Sequence, residues 1–278
     1  MIIWKLEPKS ESLSHSIECY WFLEKQQGGQ ANSFPKLYPD PNAHMIVASP
    51  HEAYHYEAAG HTFRGQGTHW LLPHSQTYKM DHTHTSALLG IKFRVGALYA
   101  LQPLQNQPML DNIVDINFAS LFQTSEQSEL ELLKSAQLNP EQCRDHLDEL
   151  LQPWTALAKQ DKHSALIKRA LTLLPDHPIS ELGDRLSCTQ RTLERNFLRV
   201  TGLTLKQCQS MNKLEALLEH LYQQGQGEID WADVAFEFGF SDQPHLIRYL
   251  KAAIGETPGD YARLRDLTID VYGGIDPL

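Results

Sequence analysis

The chain has 278 residues, is 41% hydrophobic and 21% charged, and carries a net charge of −10. That length predicts about two domains, and the composition excludes a disordered chain. Its four cysteines (Cys19, Cys143, Cys188, Cys208) stand far apart with no Cys-x-x-Cys pair, which argues against a zinc knuckle or a disulfide framework and for buried free thiols.

The opening segment, Met-Ile-Ile-Trp-Lys-Leu-Glu-Pro-Lys-Ser, has no basic stretch leading into a long apolar run. The most apolar stretch, Ser86 to Leu101, is interrupted by Lys92 and Arg94 and is too short for a bilayer. A cytoplasmic protein without membrane association is expected. From residue 1 to about 100, short runs rich in aromatic and β-branched residues (ECYWFL, HMIVAS, EAYHYEAA, THWLLP, QTYKM, ALLGIKFRV) alternate with Gly, Pro, Asn and Asp. Such spacing predicts a β-sandwich or small barrel. Trp21, Tyr54, Tyr56, Trp70 and Tyr78 are either the lining of a ligand cavity in its mouth or ordinary core. Eight of the fourteen histidines fall between His44 and His84. His82 and His84 alternate on one strand face, with His74 nearby, but no glutamate follows at metal-ligand spacing. Solvated or hydrogen-bonded histidines are the favoured reading, and no cofactor or metal is expected.

After residue 100 the apolar spacing becomes helical. A helix is predicted after Ser125, a second after Pro140 and a third near Asp161. The predicted organisation is α+β: a sensing or oligomerisation domain over 1–160, β-rich to about 100 and helical after, then an all-α domain over 161–278.

The all-α part contains a repeat. At an offset of 53 residues Leu193 aligns with Leu246, Arg195 with Arg248, Phe197 with Leu250, Gly202 with Gly255, and Thr204 with Thr257; Leu182 aligns with Ala235. Each copy reads helix, tight turn, helix, at about 178–200 and 231–253. Thr189 and Ser241 are the predicted N-caps of the second helices, and Gly202 and Gly255 their stops. Leu193, Phe197 and Val200, like Leu246, Leu250 and Ile254, fall on one face. The opposite face carries Gln190, Arg191, Glu194 and Arg195 in the first copy and Gln243, His245 and Arg248 in the second. Arg pairs bidentately with guanine, Gln with adenine, and Glu accepts from cytosine. Between Arg185 and Lys213 six cations face one acid, Glu194, a local charge of +5 in an acidic chain. Arg185, Arg199 and Lys206 are the candidates for phosphate neutralisation.

The stretches LSCTQRTLERNFLRVTGLT and VAFEFGFSDQPHLIRYLKAAIGETPGDY resemble the DNA-binding domain of AraC/XylS-family bacterial transcription regulators over residues 163–267. The resemblance implies a seven-helix domain in which a long helix, Thr204 to Gln224, joins two helix-turn-helix units that reach successive major-groove segments, ~34 Å apart. Departures from the family pattern are Leu205 for Pro, Lys213 and Ala262 for Arg, Leu246 and Leu250 for Phe, and Ser187 at a turn position where a glycine or small apolar residue is usual. Segments YPDPNAHMIVAS, RGQGTHWLLP and ALLGIKFRVGALYALQPLQNQPMLDN resemble an N-terminal class of the same regulators, with Arg94-Val95-Gly96 in place of Arg-Pro-Gly.

The resemblance implies a sequence-specific regulator, not an enzyme, whose partners are double-stranded DNA, a small-molecule effector, a second copy of the chain and, for an activator, RNA polymerase. The alternative is a metal-dependent cupin-like enzyme or small-molecule binder with a degenerate DNA domain.

Overall fold

The computed structural model describes residues 2–25, 34–58, 60–81, 83, 86–103, 109–125, 127–223, 229–255 and 257. Strands β1 (Ile2–Leu6), β2 (Ile17–Lys25), β4 (Ala43–Val47), β7 (His69–Leu71), β9 (Ser86–Phe93) and β10 (Ile113–Asp115) form one sheet in the order β1-β2-β9-β4-β7-β10. A second sheet runs β3-β8-β5-β6, from Lys36–Leu37, Tyr78–Met80, Ala53–Ala58 and His61–Gln66. All pairings are antiparallel.

Strand β2 shows how the sequence builds three layers. Its side chains alternate across the sheet with a period of two. Cys19, Trp21 and Leu23 point into a core shared with Tyr56, Tyr78 and Met80 of the small sheet. Tyr20 and Phe22 point the other way, into a core closed by Leu133, Ala136, Leu147 and Leu151. Those four come from α4 (Gln127–Leu138) and α5 (Pro140–Ala156), which follow three short helices, α1 (Glu11–Ser14), α2 (Ala97–Leu101) and α3 (Phe118–Phe122). Both faces of the large sheet are covered, so its central strands read as nearly unbroken apolar runs.

The predicted helices after Ser125, Pro140 and Asp161 are α4, α5 and α6 (Lys162–Leu173). Asn139 and Asp161 cap the last two, Asn139 accepting from the Gln142 N–H and Asp161 from the His163 and Ser164 N–H groups. The β-rich region extends past residue 100, because β10 hydrogen-bonds to β7. The space between the sheets is filled rather than hollow: Trp21, Tyr56 and Tyr78 are buried in it, and Trp70 packs on the helical side of the large sheet. A small cavity of about 30 Å³ touches Tyr54 and Tyr56. Cys19, Cys143 and Cys208 are buried free thiols and Cys188 is half-buried. No helix among the described residues is long and apolar enough to cross a membrane.

The remaining helices are α7 (Ile179–Arg185), α8 (Gln190–Thr201), α9 (Leu205–Gln223), α10 (Trp231–Glu237) and α11 (Gln243–Ile254). They enclose two separate cores. One lies under α6, α7, α8 and the start of α9, and the other under the end of α9, α10 and α11.

Candidate DNA interface

Each repeat folds as a helix-turn-helix. In the first, Leu193, Phe197 and Val200 are buried and pack against Leu182 and Leu186 of the preceding segment. In the second, Leu246, Leu250 and Ile254 are buried against Val234 and Phe240. Leu replaces Phe at two of these positions without exposing either.

The two turns differ by one residue. Cys188 N–H donates to Gly183 O at 2.9 Å, and Phe240 N–H donates to Ala235 O at 2.8 Å. The leading helices therefore correspond at an offset of 52, and Gly183, not Leu182, is the counterpart of Ala235. The trailing helices correspond at 53, as the alignment of Arg195 with Arg248 requires. The extra residue shifts the second N-cap. Thr189 caps α8 through Thr192 N–H, whereas Asp242, not Ser241, caps α11 through His245 N–H at 2.7 Å. Ser241 Oγ instead meets His245 Nδ1 at 3.2 Å. The sharpest residue of each turn has positive φ, Ser187 at 55° and Gly239 at 63°, and Gly202 and Gly255 end the trailing helices at 75° and 76°.

On the opposite face of α8, Arg191, Glu194 and Arg195 are exposed. Gln190 is half-buried and donates to Glu194 Oε1 at 3.0 Å. On α11, Gln243, His245 and Arg248 are exposed, and the His245 ring stands edge-on to Phe240. Lys206 is exposed in the first turn of α9. Arg185 is exposed but ion-paired with Glu181 at 2.9 Å. Arg199 is exposed with its guanidinium 6.0 Å from the Tyr99 ring of the N-terminal half. Lys213 lies with Nζ 3.7 Å from the centre of the Phe240 ring. There it ties α9 to the second unit through a cation–π contact, and partial burial holds its ammonium below the usual lysine range.

The N-terminal half touches both units. Gly96, with φ of 80°, brings its backbone against Val200 of α8, where even a methyl would lie 3.1 Å from Val200 Cγ1. Thr77 Oγ1 donates to Ala253 O of α11 at 3.0 Å. The strongest link escaped the sequence reading. Lys92 of β9 is fully buried and reaches Glu18 of β2 at 3.0 Å and Glu215 of α9 at 2.6 Å. Asp40 lies in the same cluster, paired with His44 at 3.0 Å. Burial works against the Lys92 charge, but Asp40, Glu215 and Glu18 hold its pKa well above the usual value. Burial also raises Asp40, and Lys92 with the His44 hydrogen bond overcomes it, leaving about 2. For Glu215 burial prevails over Lys92 and the carboxyl is pushed up to about 7. The signal was Lys92 itself, a lysine inside an otherwise apolar strand.

Among the described residues no group of three or more His, Cys, Asp or Glu side chains is placed to hold a metal ion. His82, His84, Ala262 and the Pro258–Tyr261 end of the second motif lie outside them.

A family model described as "Helix-turn-helix domain" (HTH_18) matches residues 182–264. A second, "Domain of unknown function (DUF6597)", matches residues 6–115. No curated protein matches the chain in sequence. Among solved structures, ToxT from Vibrio cholerae O395 is similar at 8% identity and a TM-score of 0.47, covering 94% of this chain and 96% of that one. Unsaturated fatty acid bound wild-type ToxT from Vibrio cholerae strain SCE256 is 9% identical at a TM-score of 0.46, with 94% of each chain covered. The AraC-like transcriptional activator CuxR is 9% identical at 0.31, covering 77% of this chain and 86% of its own. Two helix-turn-helix units flank α9, and the family match that spans them identifies residues 182–264 as a DNA-binding helix-turn-helix domain of the AraC type.

Proposed function

We propose that residues 161–278 read a specific duplex sequence and that residues 1–160 form the part that responds to a small molecule or to a second copy of the chain. The observation that carries this reading is the division around α8. Its Leu193–Phe197–Val200 side is buried, while Arg191, Glu194 and Arg195 stand in solvent with no ion pair between them and the rest of the described chain. Arg191, Glu194 and Arg195, with Gln190, read base edges in one major-groove segment; Gln243, His245 and Arg248 read the next. Arg199 and Lys206 neutralise phosphates, assisted by helix N-termini. The protein works in the cytoplasm, and as an activator it would engage RNA polymerase. Contacts from Gly96, Thr77 and Lys92 to both DNA-reading units give the N-terminal half a physical route to their spacing.

The test is selection of bound sequences from random duplexes by the full chain, with and without a metabolite extract. A defined motif in two adjacent blocks is the expected outcome. Salt-insensitive retention, or no enriched motif, sinks the reading.

A further inference from the structure

A cavity of about 640 Å³ lies between the two halves. Its walls come from the start of β2, the Arg94–Ala100 turn and helix, α6 and α9, so neither half forms it alone. That volume suits a metabolite-sized ligand. Much of the lining is apolar, with Val95, Ala97, Ile167, Leu171 and Val200. The polar groups are unevenly placed. Arg94 and Lys168 are exposed at the rim, and Arg94 Nε is already committed to Ser14 O at 2.6 Å. Glu18 and Glu215 are half-buried in the wall.

Lys92 meets these two carboxylates without itself lining the cavity. Glu18 uses its Oε1 on Lys92, and its Oε2 accepts from Asn42 Nδ2 at 3.1 Å. Glu215 uses Oε1 on Lys92, and its other oxygen has no hydrogen-bond partner among the described residues. A charged carboxylate in this half-buried wall attracts a second cation more strongly than exposed Arg94 or Lys168 attracts an anion, because solvent screens the rim more.

We propose that this interdomain cavity binds an organic cation, a primary amine on an apolar body, with the ammonium on Glu215 and Glu18 and the body against Ile167, Leu171 and Val200. Burial raises the Glu215 carboxyl despite its contact with Lys92, and a second cation on its other oxygen would favour the charged form. The proposal rests on the reading of the N-terminal half as regulatory and gives it a ligand class. Because Glu215 lies on α9, which joins the two DNA-reading units, occupancy bears directly on the helix that sets their spacing.

The experiment is a thermal-shift titration of the full chain with cadaverine, agmatine, phenethylamine and tryptamine, and with 3-phenylpropionate as the anionic counterpart of phenethylamine. At least one amine is expected to raise the melting temperature saturably, with 3-phenylpropionate inactive. The double variant Glu18→Gln/Glu215→Gln is expected to weaken that amine tenfold or more. Ala165→Phe adds bulk to the cavity wall on α6 and leaves both acids in place; it is expected to do the same, which guards against misfolding of the double variant. A response to 3-phenylpropionate alone, equal responses to it and phenethylamine, no response to any amine, or amine binding that survives Ala165→Phe overturns the proposal. Duplex retention by the untreated protein is measured in parallel. If it holds while the amines fail, the cavity assignment is wrong and the regulator reading stands; if it fails while the amines bind, the reverse.

Discussion

Lys92 of β9 and Glu215 of α9 meet at 2.6 Å across the junction between the β-rich half and the DNA-reading half, with the lysine side chain fully buried. A buried ion pair contributes modestly as a whole, but removing one partner strands the other. Lys92→Met should therefore cost about 3 kcal/mol, the low end for a buried pair, because Glu18 and Glu215 retain 32% and 31% of their side-chain exposure. Adding Glu18→Gln and Glu215→Gln should recover most of the loss. Urea unfolding of the single and triple variants measures both; a triple variant no more stable than Lys92→Met would show that the acids are not what the lysine serves.

Arg195 and Lys206 are both exposed cations, yet they have different proposed jobs. Arg195→Ala should cost ~1–3 kcal/mol on the selected site and relax the preference at one base pair. Lys206→Ala should weaken all duplexes alike and lower the salt slope by about 1. Competition binding on single-base site variants at several salt concentrations separates the two. Uniform loss for Arg195→Ala would demote it to a phosphate contact.

Ser187 and Gly239 hold the same place in the two turns, both in the left-handed region. Only glycine takes that conformation freely. Ser187→Gly should stabilise the first unit by about 0.5–1 kcal/mol and Gly239→Ala should destabilise the second by about 1 kcal/mol. Thermal unfolding provides the measurement, and shifts of the opposite sign would contradict the turn geometry.

His69 is buried, with its ring between Gly67 O and Tyr56 Oη, each at 2.8 Å. Burial holds the imidazole neutral and its pKa down at about 4. The unfolded chain takes up a proton near the ordinary histidine value of about 6.5, which the folded one refuses until about 4. The stabilisation is complete above the higher value and is lost as pH falls through that window, by roughly 3 kcal/mol. Burial lowers His74 in the same direction. Glu215, raised to about 7, works oppositely and loses its contribution as pH rises through that value. The readout is thus the difference between wild type and His69→Gln in urea midpoint from pH 7.5 to 4. That difference should shrink on acidification, and a pH-independent difference would rule out a buried neutral ring.

Much of this was written locally. The Leu193–Phe197–Val200 spacing marked a buried stripe, Thr189 and Asp161 marked helix starts, and Gly202 and Gly255 marked stops. Each rests on interactions within a few residues. The errors were of another kind. Ser241 and Asp242 both suit an N-cap, and only the longer turn, visible in the Phe240-to-Ala235 hydrogen bond, decides for the aspartate. β6 has mostly exposed or half-buried residues and no apolar alternation to announce it. β10, three residues long, exists because β7 offers it an edge.

The sequence by itself determined that two helix-turn-helix units stand in tandem and which side of α8 and α11 turns to solvent, since helical periodicity sorts apolar from polar residues without outside help. Tertiary structure alone decided the filling of the sandwich by its aromatics, the meeting of Lys92 with Glu18 and Glu215, and the cavity between the halves. Those depend on residues up to 197 positions apart, Glu18 and Glu215 among them, and no local pattern encodes which distant charge a buried lysine will find.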